Sequence, residues 1–375
     1  MPDIDRESDA RLMAAALAIA RRGLGRVWPN PAVGCLIVDE RGGRPRIVAR
    51  GWTGEGGRPH AEAVALAHAG QGARGATAYV TLEPCAHHGQ TPPCAEALIR
   101  AGVVRVVSAI EDPDPRVGGR GHAAIEAAGI ALDIGCCADL AAELNRGFIS
   151  RVRLGRPHVT LKLAVSADGK IAATAGKRTR LTGPEADRRV HMMRARADAI
   201  MIGAGTWRSD DPELTCRIAG MERRSPVRVA VDRRLELAPS SRLLATVERA
   251  PVWLMAGERH DPARRAALEK AGARVLVCPV ETARGLDAAA MLRALGDQGI
   301  TRLLVEGGRR LAESLLAADL VDEAAIIATP HKIGPGGVAA PDLCAVPERA
   351  DPPRFVLVSR DRLGADTVRQ YRRSR

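Results

Sequence analysis

Pro59-His60-Ala61-Glu62, followed by Glu83-Pro84-Cys85-Ala86-His87-His88-Gly89-Gln90-Thr91-Pro92-Pro93-Cys94, is the stretch on which the reading of this chain turns. It supplies one imidazole and two thiolates, the borderline and soft donors that a catalytic zinc takes while leaving its fourth position to water. Glu62 lies two residues beyond the imidazole, close enough to serve that water without binding the metal. Taken singly, a His or a Cys reads as a helix-end imidazole or a small buried hydrophobe. Together His60, Cys85 and Cys94 read as ligands of one zinc ion, with His87 and His88 as competing ligand candidates.

Zinc so held lowers the pKa of bound water toward ~7. Glu62 then takes that proton and delivers it to a ring nitrogen and to departing ammonia, so the chemistry indicated is hydrolytic deamination. His-x-Glu, Pro-Cys and a second Cys is the order found in zinc-dependent base deaminases. Two residues separate the cysteines in that layout, whereas eight do here. Pro84, Pro92 and Pro93 stiffen the ligand loops. Asn30, in the turn Trp28-Pro29-Asn30-Pro31, carries the paired donor and acceptor that a pyrimidine edge requires.

A length of 375 residues makes two domains the default. No apolar run approaches the ~18 residues of a membrane span, and residues 1–11 lack the layout of a signal peptide. Eight scattered cysteines fit reduced thiols in a cytoplasmic enzyme better than a disulfide scaffold. A net charge of +12 invites a nucleic-acid partner. Lysine, however, occurs only at 162, 170, 177, 270 and 332; the remaining basic residues are arginines spread along the chain with acids between them. Four Trp, two Tyr and two Phe leave few platforms for stacking bases. The expected partner is a small phosphorylated pyrimidine held by arginine, with no nucleic acid, no membrane, and a homo-oligomeric assembly.

Periodicity predicts helix over 10–22, strands over 32–38 and 46–51, helix over 61–69, strand over 77–82, and helix from Pro92 to 101. Strand 103–110, helix 122–128, strand 130–134 and one helix over 138–149 complete an α/β sandwich with ligands at helix N-termini. Those ends favour thiolate at Cys85 and Cys94. The basic, aperiodic segment 151–157 marks a boundary between domains 1–152 and 156–375. The second half reads as strands at 159–165, 199–202, 227–231, 252–255, 275–277, 302–305, 323–328, 354–358 and 367–371, with helices at 184–196, 286–295 and 309–317. Gly307-Gly308 follows a strand and opens a helix, a geometry that offers backbone N–H groups to a phosphate; Gly203-Ala204-Gly205-Thr206 repeats it. Asp210-Asp211-Pro212 reads as a turn, which with Lys162, Asp168, Arg217 and Glu306 lines a polar cleft. No Gly-x-Gly-x-x-Gly follows a first strand, so a Rossmann domain is not supported.

Pro29-Asn30-Pro31-Ala32-Val33-Gly34, Pro59 to Glu62, Thr81 to Cys85 and Thr91 to Cys94 resemble the bacterial bifunctional riboflavin-biosynthesis deaminase/reductase family. The His-His-Gly and Thr-Pro-Pro filling between the cysteines separates this pattern from ordinary cytidine and tRNA-adenosine deaminases. The resemblance implies a cytidine-deaminase-like α/β/α sandwich that removes the exocyclic amine of 2,5-diamino-6-ribosylamino-4(3H)-pyrimidinone 5′-phosphate. It places zinc on His60, Cys85 and Cys94 and makes Glu62 the proton donor and acceptor.

The second half resembles the same family's reductase through Leu161 to Ala164, Ser166 to Lys170, Gly203 to Thr206, Asp210 to Thr215 and Val305 to Gly308. That implies a dihydrofolate-reductase-like α/β domain reducing the ribosyl group to ribityl with NADPH. The implied NADPH contacts are Ala164, Thr206, Asp210, Gly307, Gly308, Arg309, Arg310, Leu311, Ala312, Glu313 and Ser314. The implied substrate contacts are Arg194, Leu214, Arg217 and Glu306, to which Asn30 and Lys162 are added on their own chemistry. The chain departs from the family pattern at Thr53, where many members have His, and at Arg178-Thr179-Arg180-Leu181-Thr182, where Ser-x-Trp-Ile-Thr is usual. Arg233 also stands where Ser is common. Arg180, Arg208, Arg233, Arg309 and Arg310 lie near the cofactor loops and favour a 2′-phosphate, hence NADPH over NADH. Two rival readings stand beside this one: a deaminase of nucleic-acid or nucleoside bases with a C-terminal binding module, and a non-enzymatic zinc domain with closed coordination.

Overall fold

A strand that is apolar without alternation needs cover on both faces of its sheet, and Gly34–Asp39 has it. Cys35 and Ile37 enter one core with Ala61, Ala65, Ala95, Leu98 and Ile125. Leu36 and Val38 enter another with Met13, Ala16, Leu17, Ala141 and Leu144. The computed structural model describes residues 6–87, 92–279, 281–282, 285–341 and 354–374. The chain divides into two compact units, Met1–Gly155 and Arg156–Arg375.

The first unit contains α1 (Arg6–Ala20), β1 (Gly34–Asp39), β2 (Arg46–Trp52), α2 (Ala61–Ala69), β3 (Thr77–Val80) and α3 (Cys94–Ala101). It continues with β4 (Arg105–Ser108), α4 (Arg120–Ala127), β5 (Ala131–Ile134), α5 (Ala138–Leu144) and α6 (Arg146–Leu154). The sheet order is β2-β1-β3-β4-β5, antiparallel at the first two pairings and parallel at the last two. Helices α2, α3 and α4 cover one face and α1 and α5 the other, giving the expected three-layer sandwich. Gly51 of β2 lets α2 approach: a Cβ there would lie 2.2 Å from the Ala61 carbonyl oxygen.

Two expectations are corrected here. The single helix over 138–149 breaks at Asn145, whose side chain accepts from the Ala32 N–H at 2.9 Å and donates to the Ala32 carbonyl at 3.2 Å. Segment 151–157 is not irregular throughout: α6 continues to Leu154 and ends on Gly155 in the left-handed conformation.

The second unit begins with β6 (His158–Val165), β7 (Lys170–Ala172), α7 (Pro184–Arg196), β8 (Ala199–Ile202), α8 (Ala204–Asp210), β9 (Val227–Val231) and α9 (Arg242–Ala245). Next come β10 (Val252–Ala256), α10 (Pro262–Lys270), β11 (Ala273–Val277), β12 (Glu281–Thr282), β13 (Gly285–Leu286) and α11 (Ala288–Asp297). It closes with β14 (Arg302–Glu306), α12 (Arg309–Ala317), β15 (Glu323–Ala328), β16 (Val338–Ala339), β17 (Phe355–Leu363) and β18 (Asp366–Arg373). The main sheet is nine-stranded, β11-β10-β9-β8-β14-β6-β15-β18-β17. Its strands run parallel from β11 to β15, and the β17–β18 hairpin is added antiparallel.

Strand β6 alternates, burying Val159, Leu161, Leu163 and Val165 and turning Thr160, Lys162 and Ala164 to the opposite face. Parallel pairing sets Glu306 against Lys162 and Ile327 against Ala164. Helix α8 follows the strand-to-helix geometry read at Gly203-Ala204-Gly205-Thr206, and it runs on to Asp210, where Asp210-Asp211-Pro212 reads as a turn. It is anchored by Trp207, whose indole N–H donates to the Val231 carbonyl at 3.2 Å. Among the described residues no helix is long and apolar enough to cross a membrane.

Candidate active sites

His60 is the N-cap of α2. Its backbone is extended and its side chain makes no capping bond, so the ring is free to turn outward. Cys85 lies in the loop after β3, and Cys94 is the first residue of α3. The His60 Nδ1 atom is 3.3 Å from Cys94 Sγ and 3.6 Å from Cys85 Sγ, and the Cys94 N–H donates to Cys85 Sγ at 3.3 Å. All three ligand atoms fall within 4.8 Å of one another. A tetrahedral zinc with its usual bond lengths separates such ligand pairs by roughly 3.5–3.8 Å, so the donor set fits the ion.

The electrostatics suit a cation. Sharing a hydrogen with Cys94 pulls the Cys85 thiol down to about 4; burial opposes this and His60 assists. The same sharing, with burial, pushes Cys94 up, since two adjacent sulfurs do not both ionise without a positive charge between them. Contact with Cys85 also raises His60. Glu62, in the first turn of α2 and almost fully buried, is pushed up to about 7 by burial above all, with the Cys85 charge adding to it.

Glu83 has a role the sequence did not reveal. Its carboxylate accepts N–H bonds from Asp112 (3.0 Å), Gly119 (2.9 Å), Gly121 (2.7 Å) and His122 (3.3 Å). It thereby clamps the loop carrying Cys85 to the start of α4. Thr53 accepts the Val33 N–H at 2.9 Å and donates to the Pro31 carbonyl at 3.1 Å, fixing the turn that carries Asn30. The Asn30 carboxamide makes no hydrogen bond among the described residues. His87 is exposed and outside the triad; His88 lies outside the described residues.

In the second unit, Arg194 of α7 grips Glu306 bidentately, Nε to Oε1 at 2.7 Å and Nη2 to Oε2 at 2.8 Å, and its Nη1 donates to the Thr215 carbonyl at 3.1 Å. Burial raises the Glu306 pKa, but Arg194 outweighs it and the net shift is downward. Lys162 faces the same carboxylate without a hydrogen bond among the described residues, and burial lowers its pKa. The Arg217 backbone N–H donates to His191 Nδ1 at 3.3 Å. Its guanidinium is exposed and makes no hydrogen bond among the described residues. Leu214 is buried with a positive φ of 59°. Asp168 does not line the cleft: its carboxylate accepts from Ile333 N–H (3.0 Å), Gly334 N–H (2.7 Å) and Ser166 Oγ (2.7 Å), bracing the turn after β6.

Gly307 and Gly308 both have positive φ, and a Cβ on Gly308 would lie 3.2 Å from Thr206 Oγ1. The parallel pairing of β8 with β14 thus brings the α8 and α12 starts together around a cradle bare of side chains. The N–H groups at the N-terminus of α12 point in the direction that suits the pyrophosphate of a dinucleotide. Leu311 and Ala312 pack into the core, so only their backbone can face that cradle. Asp210 ends α8 and accepts from Ser209 Oγ at 2.5 Å, Ala164 sits on β6, and Ser314 lies within α12. Arg309 pairs with Glu313, Arg180 with Asp187 and Arg208 with Glu236. Arg310 is exposed and makes no ion pair among the described residues. A separate cavity of about 210 Å³, lined by Thr160, Arg189, Arg302 and Glu323 among others, lies at the opposite ends of the strands.

Residues 6–110 match the family model described as cytidine and deoxycytidylate deaminase zinc-binding region, and residues 157–368 match that of the RibD C-terminal domain. The riboflavin biosynthesis protein RibD of Escherichia coli is 39% identical over 372 residues, 96% of this chain and 97% of that protein. Its namesake in Haemophilus influenzae is 39% identical over 377 residues, 97% of each. The solved structure of Acinetobacter baumannii RibD superposes with a TM-score of 0.86 at 35% identity, covering 99% of this chain and 100% of that one. A Thermotoga maritima diaminohydroxyphosphoribosylaminopyrimidine deaminase/5-amino-6-(5-phosphoribosylamino)uracil reductase superposes with a TM-score of 0.83 at 31% identity, covering 98% and 99%. The expected activities and cofactors hold: zinc-dependent deamination, then NADPH-dependent reduction of the ribosyl to a ribityl group. The cytidine-deaminase-like and dihydrofolate-reductase-like units hold as well. The chain belongs to the bacterial bifunctional riboflavin-biosynthesis deaminase/reductase family.

Proposed function

We propose that His60, Cys85 and Cys94 hold the zinc and that Glu62 carries the protons of deamination, all within the first unit. The observation behind this is the convergence of one Nδ1 and two sulfurs within 4.8 Å beside a buried carboxylate. Zinc held there supplies water acidified toward neutral pH. Glu62, kept from solvent, is suited to take a proton and return it to the ring nitrogen and then to the leaving ammonia. Asn30 offers its unengaged carboxamide to the pyrimidine edge.

In the second unit, Gly307, Gly308 and the first turn of α12 hold the NADPH pyrophosphate, with Thr206, Asp210 and Ala164 around the rest of the cofactor. Lys162 and Glu306 face the ribosyl group. Arg194 is committed to Glu306, so the exposed Arg217 guanidinium receives the phosphate. The substrate is a small phosphorylated pyrimidine rather than a nucleic acid, in keeping with the dispersed arginines. Edge strand β17 exposes Val356, Leu357 and Val358 in succession, which supports a homo-oligomer. X-ray absorption on the zinc enzyme tests the ligand set: one imidazole nitrogen, two sulfurs and one light open-site ligand are expected. A second imidazole would reassign His87 or His88 to the metal.

A further inference from the structure

Among the described residues Arg228, 0% exposed on β9, is the largest fully buried side chain, and it makes no ion pair with a carboxylate. Its Nη1 donates to the Glu213 carbonyl (3.0 Å) and Thr246 Oγ1 (2.6 Å), and its Nη2 to the carbonyls of Thr246 (2.9 Å) and Ala250. Its Nε is buried without a hydrogen-bond partner among the described residues. A buried guanidinium held by three carbonyls and one hydroxyl is a costly way to close a core. It ties the Thr246–Ala250 stretch to Glu213 of the segment Asp211-Pro212-Glu213-Leu214-Thr215, in which two non-glycine residues take positive φ, Asp211 at 36° and Leu214 at 59°. Such backbone persists only where the surroundings over-determine it.

The carbonyl Arg228 grips belongs to the peptide that sets φ of Leu214. On the other side of Leu214, the Thr215 carbonyl is gripped by Arg194, whose remaining nitrogens hold Glu306. Arg242 secures the start of the segment, its backbone N–H donating to Asp211 Oδ1 at 3.0 Å and its guanidinium to Glu213. Leu214 is therefore straddled by two fixed carbonyls, and Arg217 follows two residues past the second.

We infer that Arg228 is a positioning residue of the reductase: by holding the Glu213 carbonyl it keeps Leu214 in its left-handed conformation and so aims Leu214 and Arg217 at the ribosyl phosphate. This rests on the proposed assignment of Leu214 and Arg217 to the substrate, so the test carries an arm for each. In the full-length enzyme, R228K keeps the charge but lacks the fork. It should raise the KM for the deaminated pyrimidine phosphate by about tenfold or more, the loss of one charge-assisted bond. The NADPH KM and the rate of deamination should stay at wild-type values. R228A should show the larger effect, partly reversed by guanidinium chloride but not by urea or sodium chloride. T246V, which removes one acceptor and leaves the charge, should shift KM in the same direction if the Arg228 variants fail to fold. A folded R228K or T246V with wild-type KM for the pyrimidine overturns the inference. If R217A also leaves that KM unchanged, the assignment of the substrate site falls; if R217A raises it while R228K does not, only the role of Arg228 falls.

Discussion

The Nδ1 atom of His60, not Nε2, faces Cys94, at 3.3 Å from its sulfur. The ring is mounted on the N-cap of α2 and Cys94 opens α3, so a metal held by the proposed ligands would lie between two helix N-termini. Both ends carry partial positive charge, which favours thiolate. Replacing Cys85 by Ser should lower zinc from one per chain toward none and abolish ammonia release. NADPH-dependent reduction of already deaminated substrate should persist, and loss of both activities in a folded protein would contradict the division of labour between the units.

Glu62→Gln keeps the size of the side chain and the ligand geometry but cannot move a proton. Zinc content and melting behaviour should match the wild type while deaminase turnover falls by at least ~10²-fold, the usual contribution of a general acid–base group. Retention of more than about a tenth of turnover would remove Glu62 from its assigned role.

The convergence of His60, Cys85 and Cys94 was legible because these residues sit in short local motifs, and helices over 61–69, 184–196 and 309–317 were legible because periodicity and Pro or Gly marked their ends. The illegible parts depend on partners distant in sequence. Glu83 reads as a motif residue until Gly119, Gly121 and His122 fold back onto it. Asn145 breaks a helix because it binds the backbone of Ala32, 113 residues away. Arg194 looked like a phosphate fork, and only the parallel register and the packing of α7 show that Glu306 occupies it. The start of α8 was legible in Gly203-Ala204-Gly205-Thr206, but its run to Asp210 was not, since the Trp207 indole bond to the Val231 carbonyl joins residues 24 apart.

Arg156, the first residue of the second unit, meets Asp322 through Nη1 at 2.7 Å and Nη2 at 2.9 Å, and the Val159 N–H adds a third bond at 2.9 Å. Burial raises the Asp322 pKa, but Arg156 outweighs it and the net shift is downward. A carboxyl with a depressed folded pKa stabilises above its unfolded value and loses that contribution as pH falls through the folded one. Asp322→Asn should therefore destabilise the reductase by about 3–5 kcal/mol at pH 7, as expected for one partner removed from a buried pair. The difference should shrink below ~pH 4. Thermal inactivation of the reductase at pH 7 and at acid pH checks this, and a pH-independent deficit would point to lost packing instead.

Gly308→Val fills the cradle between α8 and α12, where even a Cβ would lie 3.2 Å from Thr206 Oγ1. It should lower kcat/KM for NADPH by about tenfold or more, the cost of losing one charge-assisted backbone contact, with the pyrimidine KM unchanged. Gly205→Ala, which meets nothing within 4 Å, should be close to neutral. In the wild type, kcat/KM should be higher for NADPH than for NADH; equality would show that no arginine reads the 2′-phosphate.

The most direct measurement follows ammonia and NADPH together after the diaminopyrimidinone ribosyl phosphate is added to the zinc enzyme. One ammonia per substrate should appear first, with NADPH oxidised afterwards in equal amount. A zinc chelator should stop both, and supplying deaminated substrate should restore only the oxidation. NADPH oxidation without prior ammonia release, or ammonia release indifferent to the removal of zinc, would contradict a zinc deaminase feeding an NADPH reductase in one chain.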